Sequence, residues 1–351
     1  MILFSDNRYT DTIQVVFFGK GYGESILLHV GNGKYVLFDS FINPETGHPI
    51  ASDYLKGIGL TEKSIVGIVC THWDDDHVKG MAEIVSNISD GVELCIPLVL
   101  SSRDILRYIE LNKNNPISYQ STSEFVKLLR LTSQHKMRVV YVNSNDNLFN
   151  ELLVSAGKPN SSIVALSPTA NAIKRFLDSL IMPQINSQIK YHGVSNNDVS
   201  IVTLITNIVD GILLGGDLDD NHQYWEEIAT HYTYEKCKVY KIPHHGSENA
   251  FNQKVWDKMV DKPISIITRF NSKSLPTQSA IDKISENSSS TFVLGGLPSI
   301  LKSHKLKSLK GTIADTLSNI SVIDSMVGAL RLSWLDNRWE IEMAGAVKKI
   351  C

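Results

Sequence analysis

The stretch THWDDDHVKG, Thr71 to Gly80, sets five side chains of metal-ligating type, His72, Asp74, Asp75, Asp76 and His77, into six consecutive positions. Before it runs SIVGIVC (64–70), apolar and rich in β-branched residues, the pattern of a buried strand. After it, Val78, Met81, Ala82, Val85 and Ile88 recur at helical spacing. Carboxylates and imidazoles crowded on one strand-to-helix turn are costly to hold together unless a cation neutralises them. The expectation is a metal site at the carboxyl end of a strand.

Working outward, Ile13 to Phe18 reads as a strand that ends in the glycine-punctuated GKGYGES (19–25). Ile26 to Val30 and Lys34 to Asp39 flank Gly31-Asn32-Gly33, a hairpin signal, and the second of them delivers Asp39 to a loop. Strand pattern returns at Glu93 to Leu100. Helical spacing then follows from Ser101 to Gln134, with Ile105, Leu106 and Ile109 and later Phe125, Leu128 and Leu129 as apolar faces. Met137 to Val142 reads as a strand, Asn143 to Ser162 as an exposed loop, and a helix starts after Pro168.

The second half is again strand-rich. Val199 to Ile205 and Gly211 to Leu214 form a hairpin broken at Gly215-Gly216-Asp217, and Lys238 to Ile242 leads into Pro243-His244-His245-Gly246. Gly328 to Gly345 alternates and turns at Asp336-Asn337, a C-terminal hairpin. Two strand-rich halves bracketing a helical middle imply a sandwich built from two β-α halves.

Bulk properties narrow the class. The 351 residues are 42% hydrophobic and 20% charged, the balance of a globular chain with ample core. A formal net charge of −3 gives no global attraction to nucleic acid. Cys70, Cys95, Cys237 and Cys351 form no C-x-x-C pair and read as reduced thiols. A polar, acidic break in MILFSDNRYTDT and the lack of a membrane-length apolar run point to a cytoplasmic location without a membrane partner.

Asp39, the 72–77 loop, Asp217 and His244-His245 each follow a strand, and strand carboxyl ends gather on one rim of an α/β layer. The set resembles the metallo-β-lactamase-fold hydrolases, and most closely the hydrolase domain of ComEC-type DNA-uptake proteins. The resemblance is carried by FGKGYGESILL, VLFDS, THWDDDHVKG, SNNDVSIVTL, ILLGGDLDD and KIPHHGSENA, in the family's order over roughly residues 13 to 285. The ComEC-type membrane channel has no counterpart in this chain.

The resemblance implies a single four-layer αββα sandwich over residues 1–351, with a helical insertion near 101–195 and the hairpin 328–345. It implies that His72 and Asp74 hold one metal ion, Asp76 and His77 a second, that Asp217 bridges them and that His244 completes the second site. Asp39 matches a strand-end acid that orients a ligand. Asp74 stands where many relatives carry histidine, which makes the site harder and admits manganese or magnesium beside zinc. At the usual third histidine stands Asn196-Asn197-Asp198, and Leu275 precedes Pro276 where a histidine is common.

Two close divalent ions acidify a shared water and polarise the electrophile it attacks. Asp76 is expected to orient that nucleophile, and His245 to stabilise negative charge or protonate a leaving oxygen. Phosphodiesters, of a nucleic acid or a small nucleotide, are the favoured substrates. A lactone or carbon-ester hydrolase and a degenerate partner-binding module stay open as alternatives. Asp75 reads as a helix cap rather than a ligand, the basic run Lys302, Lys305, Lys307 and Lys310 as a solvated loop, and Tyr22 and Trp73 as core packing or base-stacking groups.

Overall fold

The computed structural model describes residues 4, 13–103, 105, 119–158, 160–181, 195–206, 210–232, 236–259, 261–295, 327–335 and 338–351. The Asp336-Asn337 turn, Leu106, Ile109 and the basic run 302–310 lie outside the described residues. The first half supplies β1 (Gln14–Gly19), β2 (Glu24–Gly31), β3 (Lys34–Phe38), β4 (Ile65–Val69), β5 (Glu93–Pro97) and β6 (Arg138–Val142). Then come β7 (Asn147–Leu148), β8 (Ser162–Ala165), β9 (Thr203–Thr206), β10 (Gly211–Leu214), β11 (Cys237–Lys241), β12 (Ile264–Thr268) and β13 (Ser290–Leu294). The chain ends with β14 (Gly328–Leu335), β15 (Arg338–Gly345) and β16 (Val347–Lys349).

These strands make two eight-stranded sheets. One has the order β15-β14-β1-β2-β3-β4-β5-β6, the other β16-β13-β12-β11-β10-β9-β8-β7. Side-chain alternation explains the layering. In β1, Val15 and Phe17 enter the core between the sheets, while Val16 and Phe18 face the helices outside. In β10, Ile212 and Leu214 point inward and Leu213 packs under the outer helices of the second sheet. Three cores separating four layers make the αββα sandwich expected from the sequence.

Antiparallel pairs lie towards the ends of each sheet, and β3 to β6 and β10 to β13 run parallel within their sheets. Parallel strands place their carboxyl ends on one edge, and the loops after β3, β4, β10, β11 and β12 share it. The sheets meet there, where the Ile201 amide donates to the Thr71 carbonyl at 2.9 Å.

One stretch differs from its sequence reading. Residues 143–162, expected as an exposed loop, contain β7, the helix Asn150–Ser155 and the start of β8. The Asn and Ser content hides three sparsely spaced apolar residues, Leu148, Phe149 and Leu153, all buried between the sheets. No helix among the described residues is long and apolar enough to cross a membrane.

Candidate metal centre

Asp39 leaves β3 in the left-handed backbone region, at φ 55°. Its Oδ1 accepts the Thr71 amide at 2.8 Å, and its Oδ2 accepts the Thr71 hydroxyl and His77 Nδ1, each at 2.7 Å. The hydroxyl has one proton and spends it on the carboxylate, so at 3.0 Å from His72 Nδ1 it can only accept. Both histidines therefore carry hydrogen on Nδ1 and turn Nε2 into the site. Their rings are fully buried, with centroids 4.2 Å apart.

The second sheet supplies the facing wall. Gly215-Gly216 turns the chain after β10, and the Ser200 hydroxyl accepts the Asp217 amide at 3.1 Å. Asp217 Oδ2 then lies 3.3 Å from His77 Nε2 and 3.5 Å from His245 Nε2. His245 Nε2 is 3.1 Å from Asp76 Oδ2, and His77 Nε2 is 3.7 Å from the same oxygen. Potential ligand atoms of Glu24, His77, Asp217 and His245 all fall within 4.8 Å of one another, in a fully buried cluster.

His72 and Asp74 occupy the adjoining corner, with His72 Nε2 3.7 Å from Asp74 Oδ2. Asn196 Nδ2 donates to Asp74 Oδ1 at 2.7 Å, which brings the 196–198 run to this corner. Asp198 instead belongs to a capping box with Ser195. Leu275 pairs its backbone with Phe270 in a tight turn that stacks the Phe270 ring on His245 at 5.0 Å. Asp75 opens the helix Asp75–Val78, and Trp73 packs against Phe125 and Phe176.

The adjacent histidines part company because His244, His245 and Gly246 all adopt positive φ, 43°, 53° and 75°. For residues with a Cβ this is costly backbone, held here by the surrounding fold. The bend sends His245 into the cluster. His244 lies beside it, with Nδ1 2.6 Å from Asp219 Oδ1 and Nε2 3.3 Å from Asn197 Nδ2. The sequence reading gave the ligand position to His244; the geometry brings His245 to the four-residue cluster. Asp219, Glu24 and Thr268, all buried around the site, went unread because isolated residues in strands and turns carry no spacing signal.

Electrostatics follow from burial against charge. Burial, reinforced by His77, holds His72 below the ordinary imidazole range. Burial opposes a charge on His77 too, but Asp217, Asp76 and Asp39 outweigh it and hold that ring well above its ordinary value. Asp76 and Asp217 sit below the ordinary carboxylate range, since His77 and His245 overcome the burial that would raise them. At the rim, burial and nearby Lys79 pull Lys20 down to about 8, and burial with Asp76 and Asp75 pushes Tyr22 up to about 12.

The donor set fits divalent cations. His72 Nε2 and Asp217 Oδ1 are buried and make no hydrogen bond among the described residues, and His77 Nε2 faces Asp217 Oδ2 at 3.3 Å. Imidazole nitrogens and carboxylate oxygens of Glu24, His77, Asp217 and His245 gathered within 4.8 Å of one another, all buried, suit a divalent cation.

Residues 19–114 match the model of the metallo-beta-lactamase superfamily. Among solved structures, zinc-bound PqqB from Methylobacterium extorquens aligns over 80% of this chain and 97% of its own, at 10% identity and a TM-score of 0.44. The metallo-beta-lactamase fold protein YhfI from Bacillus subtilis aligns over 80% and 95%, at 10% identity and a TM-score of 0.43. No curated protein sequence gives a significant match to the chain.

Proposed function

We propose that this chain is a dinuclear metal-dependent hydrolase of phosphodiesters, acting on a nucleic acid or a small nucleotide. The observation that carries the reading is the gathering of buried imidazole nitrogens and carboxylate oxygens from both sheets. Asp76, His77, Asp217 and His245 would hold one ion. His72, Asp74 and Asp217 would hold the other, with Asn196 steadying Asp74. The mixed nitrogen and oxygen donors suit zinc or manganese, with magnesium a harder alternative. Bound there, the ions would supply Lewis acidity, lowering the pKa of a coordinated water and polarising the electrophile.

The residues themselves do the rest. Asp76 Oδ2 faces the cluster interior beside His77 and His245, where it would orient the attacking water. His244, braced by Asp219 and directed past Asn197, would stabilise charge developing on the leaving oxygen. Lys20 and Lys273 stand close enough to act electrostatically on Asp75 and Asp76 and on His244 respectively, which supports an anionic substrate. The motif resemblance to ComEC-type hydrolase domains supports the same substrate class.

The test is turnover by metal-replete protein of bis-aryl phosphate, single-stranded DNA and RNA, with zinc, manganese and magnesium in turn. Cleavage that falls by about two orders of magnitude or more in Asp217→Asn, with the fold retained, supports the reading. Activity confined to an acyl-ester panel would move the substrate class to carbon esters. Fewer than one tightly bound divalent ion per chain would make the protein a binding module.

A further inference from the structure

A fully buried ion pair lies behind the cluster. Lys241, the last residue of β11, pairs through Nζ with Glu24 Oε2 at the start of β2, and its Nζ also donates to the Gly216 carbonyl at 3.2 Å. Both side chains are excluded from solvent, at 0% and 2% exposure. The same Glu24 oxygen accepts the Thr268 hydroxyl at 2.8 Å. Thr268 ends β12, and its Oγ1 and carbonyl oxygen lie 3.0 and 3.1 Å from His245 Nδ1.

These contacts decide which way the Thr268 hydroxyl and the His245 Nδ1 hydrogen point. An ionised carboxylate accepts only, so the Thr268 hydroxyl donates to Glu24 and has only lone pairs left for His245. The Thr268 carbonyl also only accepts. His245 must then carry a hydrogen on Nδ1, which turns its Nε2 into the cluster, 3.1 Å from Asp76 Oδ2 and 3.5 Å from Asp217 Oδ2. This repeats, on the other wall, the arrangement in which Asp39 takes the Thr71 hydroxyl and Thr71 takes His72 Nδ1.

We propose that Glu24 and Thr268, anchored by Lys241, are positioning residues that fix His245 as a metal ligand, and that Glu24 itself does not ligate. Glu24 lies within ligand distance of the cluster, but its Oε2 is committed to Lys241 and Thr268. A carboxylate behind a metal-binding histidine locks ring orientation and tautomer, and its loss typically weakens metal binding 10–100-fold. The proposal rests on the metal-centre reading above but not on the choice of substrate.

The experiment measures zinc affinity by chelator competition, and the visible spectrum of the cobalt-substituted protein, for wild type, Thr268→Ser, Thr268→Val and Glu24→Gln. Thermal melting of each metal-free form checks folding. The expected result is that Thr268→Ser binds as wild type, while Thr268→Val binds roughly 10–100-fold more weakly with altered cobalt bands and an unchanged fold. Wild-type affinity in Thr268→Val overturns the relay. Glu24→Gln is expected to weaken binding by a similar factor; complete loss of metal from Glu24→Gln while Thr268→Val keeps wild-type affinity would make the carboxylate a ligand and equally overturn the proposal. A wild type that binds no metal removes the metal-centre reading and the relay with it. Metal bound without phosphodiester cleavage removes only the substrate assignment and leaves the relay standing.

Discussion

At the scale of single residues, the pair His244-His245 separates what chain order tells from what geometry tells. A PHHG run announces a histidine site, but which ring enters depends on three consecutive positive φ angles that no spacing rule reports. The structure leads to unequal outcomes for the two substitutions. His245→Ala should lose bound metal and turnover together, whereas His244→Ala should keep its metal and lose turnover by about 10²-fold. Metal analysis beside activity on each purified variant separates the roles. A second expectation concerns His77, whose carboxylate neighbours keep it protonated above the ordinary 6.5 in the metal-free protein. Metal must displace that proton from Nε2, so affinity should rise with pH until it passes the raised value and then level off. Calorimetric titrations in two buffers of different ionisation enthalpy would count the released protons; equal apparent enthalpies would contradict the assignment.

At the scale of elements, the motif loops were the legible part. The β2–β3 hairpin over Gly31-Asn32-Gly33, the strand before His72 and the broken turn before Asp217 all lie where their residue patterns put them. Less legible were the short helix and strands within 143–162, whose few apolar residues are buried by the opposite sheet rather than by any local periodicity. Glu24 and Thr268 were illegible for a related reason: each is one polar residue at a strand end, and only the packed fold joins them. The GKGYGES loop shows why its glycines are there. Gly23 has φ +100°, and a Cβ added to it would stand 2.9 Å from the Asp76 carbonyl oxygen and from Phe41 Cβ. Gly23→Ala should cost about 1–3 kcal/mol of stability by denaturant unfolding and weaken metal binding by displacing the Asp76 turn.

At the scale of the whole molecule, apolar burial ties the two sheets together, and the buried Lys241–Glu24 pair joins β11 to β2. Breaking that pair leaves a charge stranded in the interior, so Lys241→Met should destabilise the fold by about 3–5 kcal/mol. Replacing both partners, Lys241→Met with Glu24→Leu, should recover most of that stability without restoring metal affinity. Equilibrium unfolding of the single and double variants provides the comparison.

The division of donors between the sheets has a thermodynamic consequence. His72, Asp74, Asp76 and His77 come from one half of the chain, Asp217 and His245 from the other, and neither set encloses a cation alone. Occupancy and folding would therefore be linked, free metal at a hundred times its dissociation constant favouring the folded chain by about 2.7 kcal/mol. A cation bound there would act as a clasp on the seam between the sheets.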